Sequence, residues 1–298
     1  MYDNMANTTG GIPMRVKRIL YWVTITILIA IILGCVGMIA YKFITDAKEQ
    51  GLYNEMLESL PDRDTSQTLP STKVTDPSGN PVDPTDPTPV DPDAPGPSRP
   101  RPVYDESEVL FRYRSLYTIN NDMVGFIEIP GTSIKYPVVQ SPYSANYYLR
   151  RNFYKRTATC GTIYVREACD VNKPSDNVTI YGHKMTNGTM FADLHKYKNK
   201  DFWTDYSTIY FDTLTEYHTY EIFAVFQTEA NQGNSFNYHL FDDAKDEAEF
   251  DQFVKSCKAL SYYDTGITPT YGDKLITLST CDKSMEDGRL VVVARRVD

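Results

Sequence analysis

The sequence predicts a mainly β domain, closed as a barrel or sandwich, carried behind a single apolar N-terminal segment. Three observations predict it. The second half of the chain breaks into eight short runs rich in Val, Ile, Thr, Tyr and Phe, parted by turn residues. Near the N-terminus lies one long stretch without charge. Between the two, the composition turns abruptly to proline, aspartate and threonine.

Taken in chain order, residues 1–18 read as a short polar tail ending in Arg15, Lys17 and Arg18. Residues 19–41 (ILYWVTITILIAIILGCVGMIAY) hold no charged side chain. At about 1.5 Å per residue such a helix spans a hydrocarbon core of roughly 30 Å. The basic residues before it place the N-terminus in the cytoplasm and everything after residue 41 outside, as a single-pass anchor in the cell membrane. A cleaved signal peptide would carry a shorter apolar region, about 7–15 residues, followed by a small-residue cleavage site. Residues 42–60 alternate apolar and charged positions, which predicts a separate juxtamembrane helix.

Residues 61–102 contain 12 of the 18 prolines. A stretch of this composition cannot bury enough apolar surface to fold, so it predicts an extended spacer reaching on the order of 100 Å. The folded domain is then expected over 103–298. It opens with a helical stretch at 106–117. Strand-like runs follow at 124–129, 136–139, 161–166, 177–181, 209–212, 215–227, 274–279 and 289–297. Two helical patterns interrupt them, at 188–196 and 243–260; the second spaces Phe250, Phe253, Val254 and Cys257 for one helix face.

The totals exclude some functions. With 30 basic and 39 acidic residues the net charge is −9, unlike a nucleic-acid binder. The five cysteines form no C-x-x-C pair, and no Cys/His group has zinc-ligand spacing.

Two segments can carry chemistry. In KLITLSTC (274–281) the alternation of a strand ends on Cys281, and a polar loop, DKSMEDG, follows. Arg289 then opens the next strand. Two strands joined by a short loop lie side by side, which makes Arg289 a neighbour of Cys281. A guanidinium there favours the thiolate and stabilises an oxyanion. In NVTIYGHKM (177–185) a strand ends in Tyr-Gly and delivers His183 into a loop. A cysteine nucleophile needs an imidazole or a cation within reach. His195 on a helical pattern, His218 inside a strand and His239 in a polar loop are weaker partners. Pattern alone also fits a structural cysteine beside a surface arginine.

TLSTC (277–281), YGHKM (181–185) and the Arg289-initiated strand, in this order, resemble the signature of the sortase family. VGFIEIPGTSIKYPVVQ (124–140), YYLRRNFY (147–154), GTIYV (161–165) and TMFADLHKY (189–197) match the same family in the same order. The insertion of about 45 residues before the Cys281 strand, with its helix, resembles class B. The resemblance implies an eight-stranded sortase-type β-barrel with an N-terminal helix, on a single-pass membrane anchor, at a Gram-positive surface. It implies a transpeptidase, and neither a metal nor an organic cofactor. Cys281 attacks the carbonyl after the threonine of a sorting signal, broadly Asn-Pro-x-Thr-x, on a surface protein. His183 moves the proton, and Arg289 holds the backbone and oxyanion. Ser279 and Thr280 are then substrate-binding candidates, and the N–H after Cys281 is a candidate oxyanion donor. The acceptor amine belongs to a peptidoglycan precursor or a pilin. A hydrolytic extracellular cysteine peptidase and a non-catalytic surface binding module are the alternatives. The His-before-Cys order counts against a papain-type peptidase.

Overall fold

A computed structural model of the chain describes residues 14–61, 63, 104, 108–142, 144–229, 236–282, 284 and 287–298. Most of the N-terminal tail and nearly all of the proline-dense stretch lie outside the described residues. Two compact units divide the chain, residues 1–48 and residues 49–298.

The first unit is part of one helix, α1 (Met14–Glu58). Its large apolar side chains, from Leu20 to Ile44, are exposed, and by length and composition it can cross a membrane. Residues 42–58, within the stretch expected as a short amphipathic helix at 42–60, are helical and continuous with the apolar segment. No proline interrupts the run, so the helix continues through the change from apolar to charged residues.

The second unit is built on eight strands. They are β1 (Met123–Glu128), β2 (Lys135–Val139), β3 (Ile163–Val165), β4 (Asn177–Tyr181), β5 (Thr208–Thr213), β6 (Thr219–Glu229), β7 (Leu275–Cys281) and β8 (Gly288–Arg296). They close into a barrel in the order β1-β2-β3-β4-β7-β8-β6-β5. The β2–β3 and β4–β7 pairs are parallel and the others antiparallel. Every strand-like run of the sequence overlaps one of these strands.

Period-two alternation gives β7 and β8 two buried faces. Ile276, Leu278, Leu290, Val292 and Ala294 belong to the main core. Leu275, Val291 and Val293 join a second core with Phe223, Phe226, Phe250 and Phe253. That second core exists because α2 (Arg114–Ile119) and α3 (Lys200–Asp205) are followed by a longer helix, α4 (Glu247–Leu260), in the β6–β7 connection. α4 starts where the Asp246 side chain accepts from the Glu249 N–H at 2.9 Å, three residues inside the run expected from sequence. Each buried phenylalanine of its apolar face contributes about 1.5–3 kcal/mol.

The other two helical expectations shorten. Residues 111–113 form a 3₁₀ turn ahead of α2. Residues 188–196 do not start a helix, because Gly188 (φ 84°) and Met190 (φ 58°) sit in the left-handed region. A 3₁₀ segment, Ala192–Lys198, follows, and α3 begins where the Asn199 side chain accepts from the Asp201 N–H.

The compact unit reaches back to residue 49, not to the expected boundary at 103. Tyr53 and Met56 are buried in the barrel core, and the Tyr53 ring meets Tyr136 edge-on at 5.5 Å. Arg63 is paired with buried Asp212 on β5. Across the proline-dense stretch, the Tyr104 hydroxyl donates to Asn172 and its N–H donates to the Tyr117 hydroxyl. Arg63 and Tyr104 thus both contact the barrel unit. Apart from residues 61 and 63, the expected spacer itself lies outside the described residues.

Candidate active site

β7 and β8 run antiparallel with Cys281 directly opposite Arg289. The alternation that buries Ile276 and Leu278 in the barrel puts Cys281 on the other face, with Leu275, Thr277 and Ser279. Cys281 is half-buried, whereas Cys160, Cys169 and Cys257 are buried and outside any disulfide. Burial raises the Cys169 thiol to about 12 and pushes Cys257 well above its ordinary value. Neither is a nucleophile at neutral pH.

Arg289 folds over its own turn, its Nη1 donating to the carbonyls of Asp287 at 3.2 Å and Gly288 at 3.0 Å. No carboxylate pairs with it among the described residues. The Asp282 N–H, an expected oxyanion donor, donates to the Gly288 carbonyl at 2.8 Å. Closing the β7–β8 turn takes that donor.

His183 arrives from the neighbouring strand. β4 runs parallel to β7 with Tyr181 opposite Ser279, and the Gly182 N–H donates to the Ser279 carbonyl at 3.1 Å. A Cβ at Gly182 would stand 2.5 Å from Ile163 and 2.6 Å from Phe191, so only glycine lets β4 turn here. The His183 Nε2 lies 2.9 Å from the Leu149 carbonyl. A carbonyl only accepts, so Nε2 carries the proton and Nδ1 is left to exchange one.

Cys281, His183 and Arg289 line one cleft of ≈440 Å³, together with Ser279 and Thr280. All five residues singled out from sequence therefore meet, in two different situations. The Ser279 Oγ is engaged with the Tyr238 hydroxyl at 2.6 Å. Thr280 lies on the opposite strand face from Cys281, and its Oγ1 is buried without a hydrogen-bond partner.

The cleft also holds a residue that the sequence ranked as a weaker partner, His239, and two that it did not single out, Arg166 and Glu167. His239 lines it from the β6–β7 connection. Burial, then Arg166 and Arg289, lower the His239 pKa, which keeps its ring neutral at neutral pH. Arg166 lines the cleft while pairing with Asp242, and Glu167 stands beside it. The one available signal was Arg166-Glu167 directly after a strand, mirroring the strand-end positions of His183 and Cys281.

Residues 127–297 match the sortase domain family. The chain belongs to the sortase family. Sortase B of Listeria monocytogenes is 37% identical over 194 residues, 64% of this chain and 76% of that protein. Sortase B of Staphylococcus aureus is 29% identical over 186 residues, 62% of this chain and 74% of that protein. Among solved structures, a sortase B from B. anthracis aligns with a TM-score of 0.57 at 34% identity, covering 66% of this chain and 89% of the other. The Staphylococcus aureus sortase B–substrate complex aligns with a TM-score of 0.58 at 28% identity, covering 65% and 88%. This sortase is most like class B members and is an enzyme of the cysteine transpeptidase type. Its closed eight-stranded barrel is the sortase B architecture.

Proposed function

We propose that this sortase is a cell-surface transpeptidase that cleaves a C-terminal sorting signal after threonine and joins the released protein to an amine. The observation that carries the reading is the Cys281–Arg289 register pair with His183 on the same cleft wall. The Cys281 thiolate attacks the carbonyl carbon of the threonine, and the C–N bond to the following residue breaks. The leaving amine takes a proton from His183, and a thioester remains on Cys281. The acceptor amine gives its proton to His183 as it displaces the thiol. Arg289 faces the charge that develops on the carbonyl oxygen at both steps. Ser279 shapes the wall through Tyr238, and Thr280 contributes its strand edge.

Residues 19–41 anchor the chain in the membrane, with residues 1–18 cytoplasmic and the barrel outside. Support comes from the uncharged, exposed helix behind Arg15 and Arg18. Protease added to intact protoplasts then removes the barrel. A protected or freely released barrel contradicts the topology.

The chemistry is tested by incubating the full chain with Asn-Pro-x-Thr peptides. Mass spectrometry maps the acyl group, and products are compared with and without peptidoglycan-derived and lysine amines. An acyl group on Cys281 and an amine-dependent product support the reading. Water-only products make the protein a hydrolase. Acylation at Cys160, Cys169 or Cys257 overturns the mechanism.

A further inference from the structure

Behind the strand end that carries Cys281 lies a second polar network, outside the cleft. The His195 Nε2, on the 3₁₀ segment 192–198, lies 3.3 Å from the Cys281 carbonyl oxygen. On the ring's other side, Nδ1 lies 3.3 Å from the Lys184 Nζ. The carbonyl only accepts and the ammonium only donates, so the two contacts define one neutral tautomer, with the proton on Nε2. Burial, with Lys184 and Lys198, lowers the imidazole pKa and maintains that neutral form.

The network continues through the next residue of the chain. The Asp282 Oδ2 accepts from the Lys198 Nζ at 2.5 Å, and its Oδ1 accepts from the Ser284 N–H at 3.1 Å and Oγ at 2.9 Å. Lys184 adjoins His183 in sequence, and the His183 carbonyl accepts from the Phe191 N–H at 2.9 Å. Ser284 lies in the turn that leads into Arg289. These contacts lie against the backbones that carry Cys281, His183 and Arg289, and His195 makes the two that join the Cys281 carbonyl to Lys184.

We infer that His195 is a positioning residue for the acyl-transfer reaction: its Nε2–H holds the Cys281 carbonyl, and through Lys184 it couples the nucleophile's strand to the His183 loop. It touches neither substrate nor the reacting atoms. The inference rests on the proposed nucleophile, Cys281. A shift on the order of 1 Å in a reacting group costs about 10²-fold in rate, so a single anchor behind the nucleophile has a kinetic signature.

The test uses the full chain with His195→Leu, His195→Gln and His195→Asn. Glutamine places an N–H near the Nε2 position; asparagine is too short, and leucine has no donor. Two rates are measured on each protein: acylation by an Asn-Pro-x-Thr peptide in a single turnover, and alkylation of Cys281 by iodoacetamide across pH. The small electrophile reads thiol chemistry without peptide geometry. Expected for His195→Leu is acylation slowed about 10- to 100-fold with KM nearly unchanged. Its alkylation profile matches the wild type, and His195→Gln recovers most of the acylation rate. Acylation at the wild-type rate in His195→Leu overturns the inference. A displaced alkylation profile overturns it too, because His195 would then act through charge. If His195→Leu does not fold, the polar pair decides. Gln faster than Asn supports the anchor, and equal rates refute it. The underlying reading is checked separately in the wild type, where alkylation at Cys281 must abolish turnover.

Discussion

The Cys281 cleft and the Asp212 cluster on β5 are both built from charged and aromatic side chains at a barrel wall, yet they are finished differently. The Asp212 Oδ1 accepts from the Arg63 Nη2 at 2.7 Å and the His218 N–H at 3.1 Å. Its Oδ2 accepts from the Arg63 Nε at 3.2 Å and the Tyr113 hydroxyl at 2.6 Å. Four donors fill the four acceptor positions of one carboxylate. At the cleft, Arg289 spends one nitrogen on loop carbonyls and pairs with no carboxylate among the described residues. A fully satisfied buried charge holds structure, because any change loses hydrogen bonds. A partly satisfied one retains capacity for a substrate.

That contrast breaks if substitutions in the two places act alike. The largest effect is expected from Cys281→Ala, which removes all turnover and leaves the melting temperature near wild type. Next, His183→Ala lowers kcat by roughly 10²–10⁴-fold, the usual scale of general acid–base catalysis. Arg289→Lys behaves similarly, since lysine keeps the charge without the planar fork. His239→Ala serves as the sharpening control among cleft imidazoles, losing less than about tenfold in steady-state assays. A larger loss there than at His183 would exchange their roles.

On the structural side, Asp212→Ala is expected to lower the unfolding free energy by about 3–5 kcal/mol, because it strands the Arg63 charge and the Tyr113 hydroxyl. Urea titration measures this, and kcat per folded molecule stays within about threefold. Starting the chain at residue 103 removes Arg63, Tyr53 and Met56 together. It lowers the urea midpoint and leaves the cleft chemistry intact, which a titration of active thiols in the folded fraction checks.

The smallest effect lies in acid. The Asp282 carboxyl is held at about 2, despite burial that opposes it, by hydrogen bonds from Lys198 and Ser284. A folded-state value below the unfolded one, about 3.9, means its stabilisation is complete above about pH 4. It is then lost as pH falls toward about 2. Asp282→Asn therefore flattens the stability slope in that window and not near neutrality. An unchanged slope separates Asp282 from the acid response.

The β-strands were legible because alternation and turn residues are local signals. KLITLSTC shows its two faces in sequence, and the structure uses both, one in the barrel and one under α4. The Cys281–Arg289 pair was legible for the same reason, since a short loop between strands implies adjacency. α1 was harder. The burial of Tyr53 and Met56 near its C-terminal end depends on residues far along the chain, beyond a proline-dense stretch that reads as a spacer. His239 was ranked too low because its approach to the cleft depends on how the β6–β7 connection folds, which no local period reports, and Arg166 was missed because its place on the cleft depends on the closure of the barrel.

By itself the sequence determined the strand set, the long apolar segment near the N-terminus and the nearness of Cys281 to Arg289, all properties of residue type and short-range spacing. Tertiary structure alone decided which groups were already spoken for. The Asp282 N–H went to Gly288, the Ser279 hydroxyl to Tyr238, and the His195 ring turned behind Cys281. Hydrogen-bond capacity is used up by whichever partner closure of the barrel brings within about 3 Å, and that partner is set by register and packing and not by neighbours in sequence.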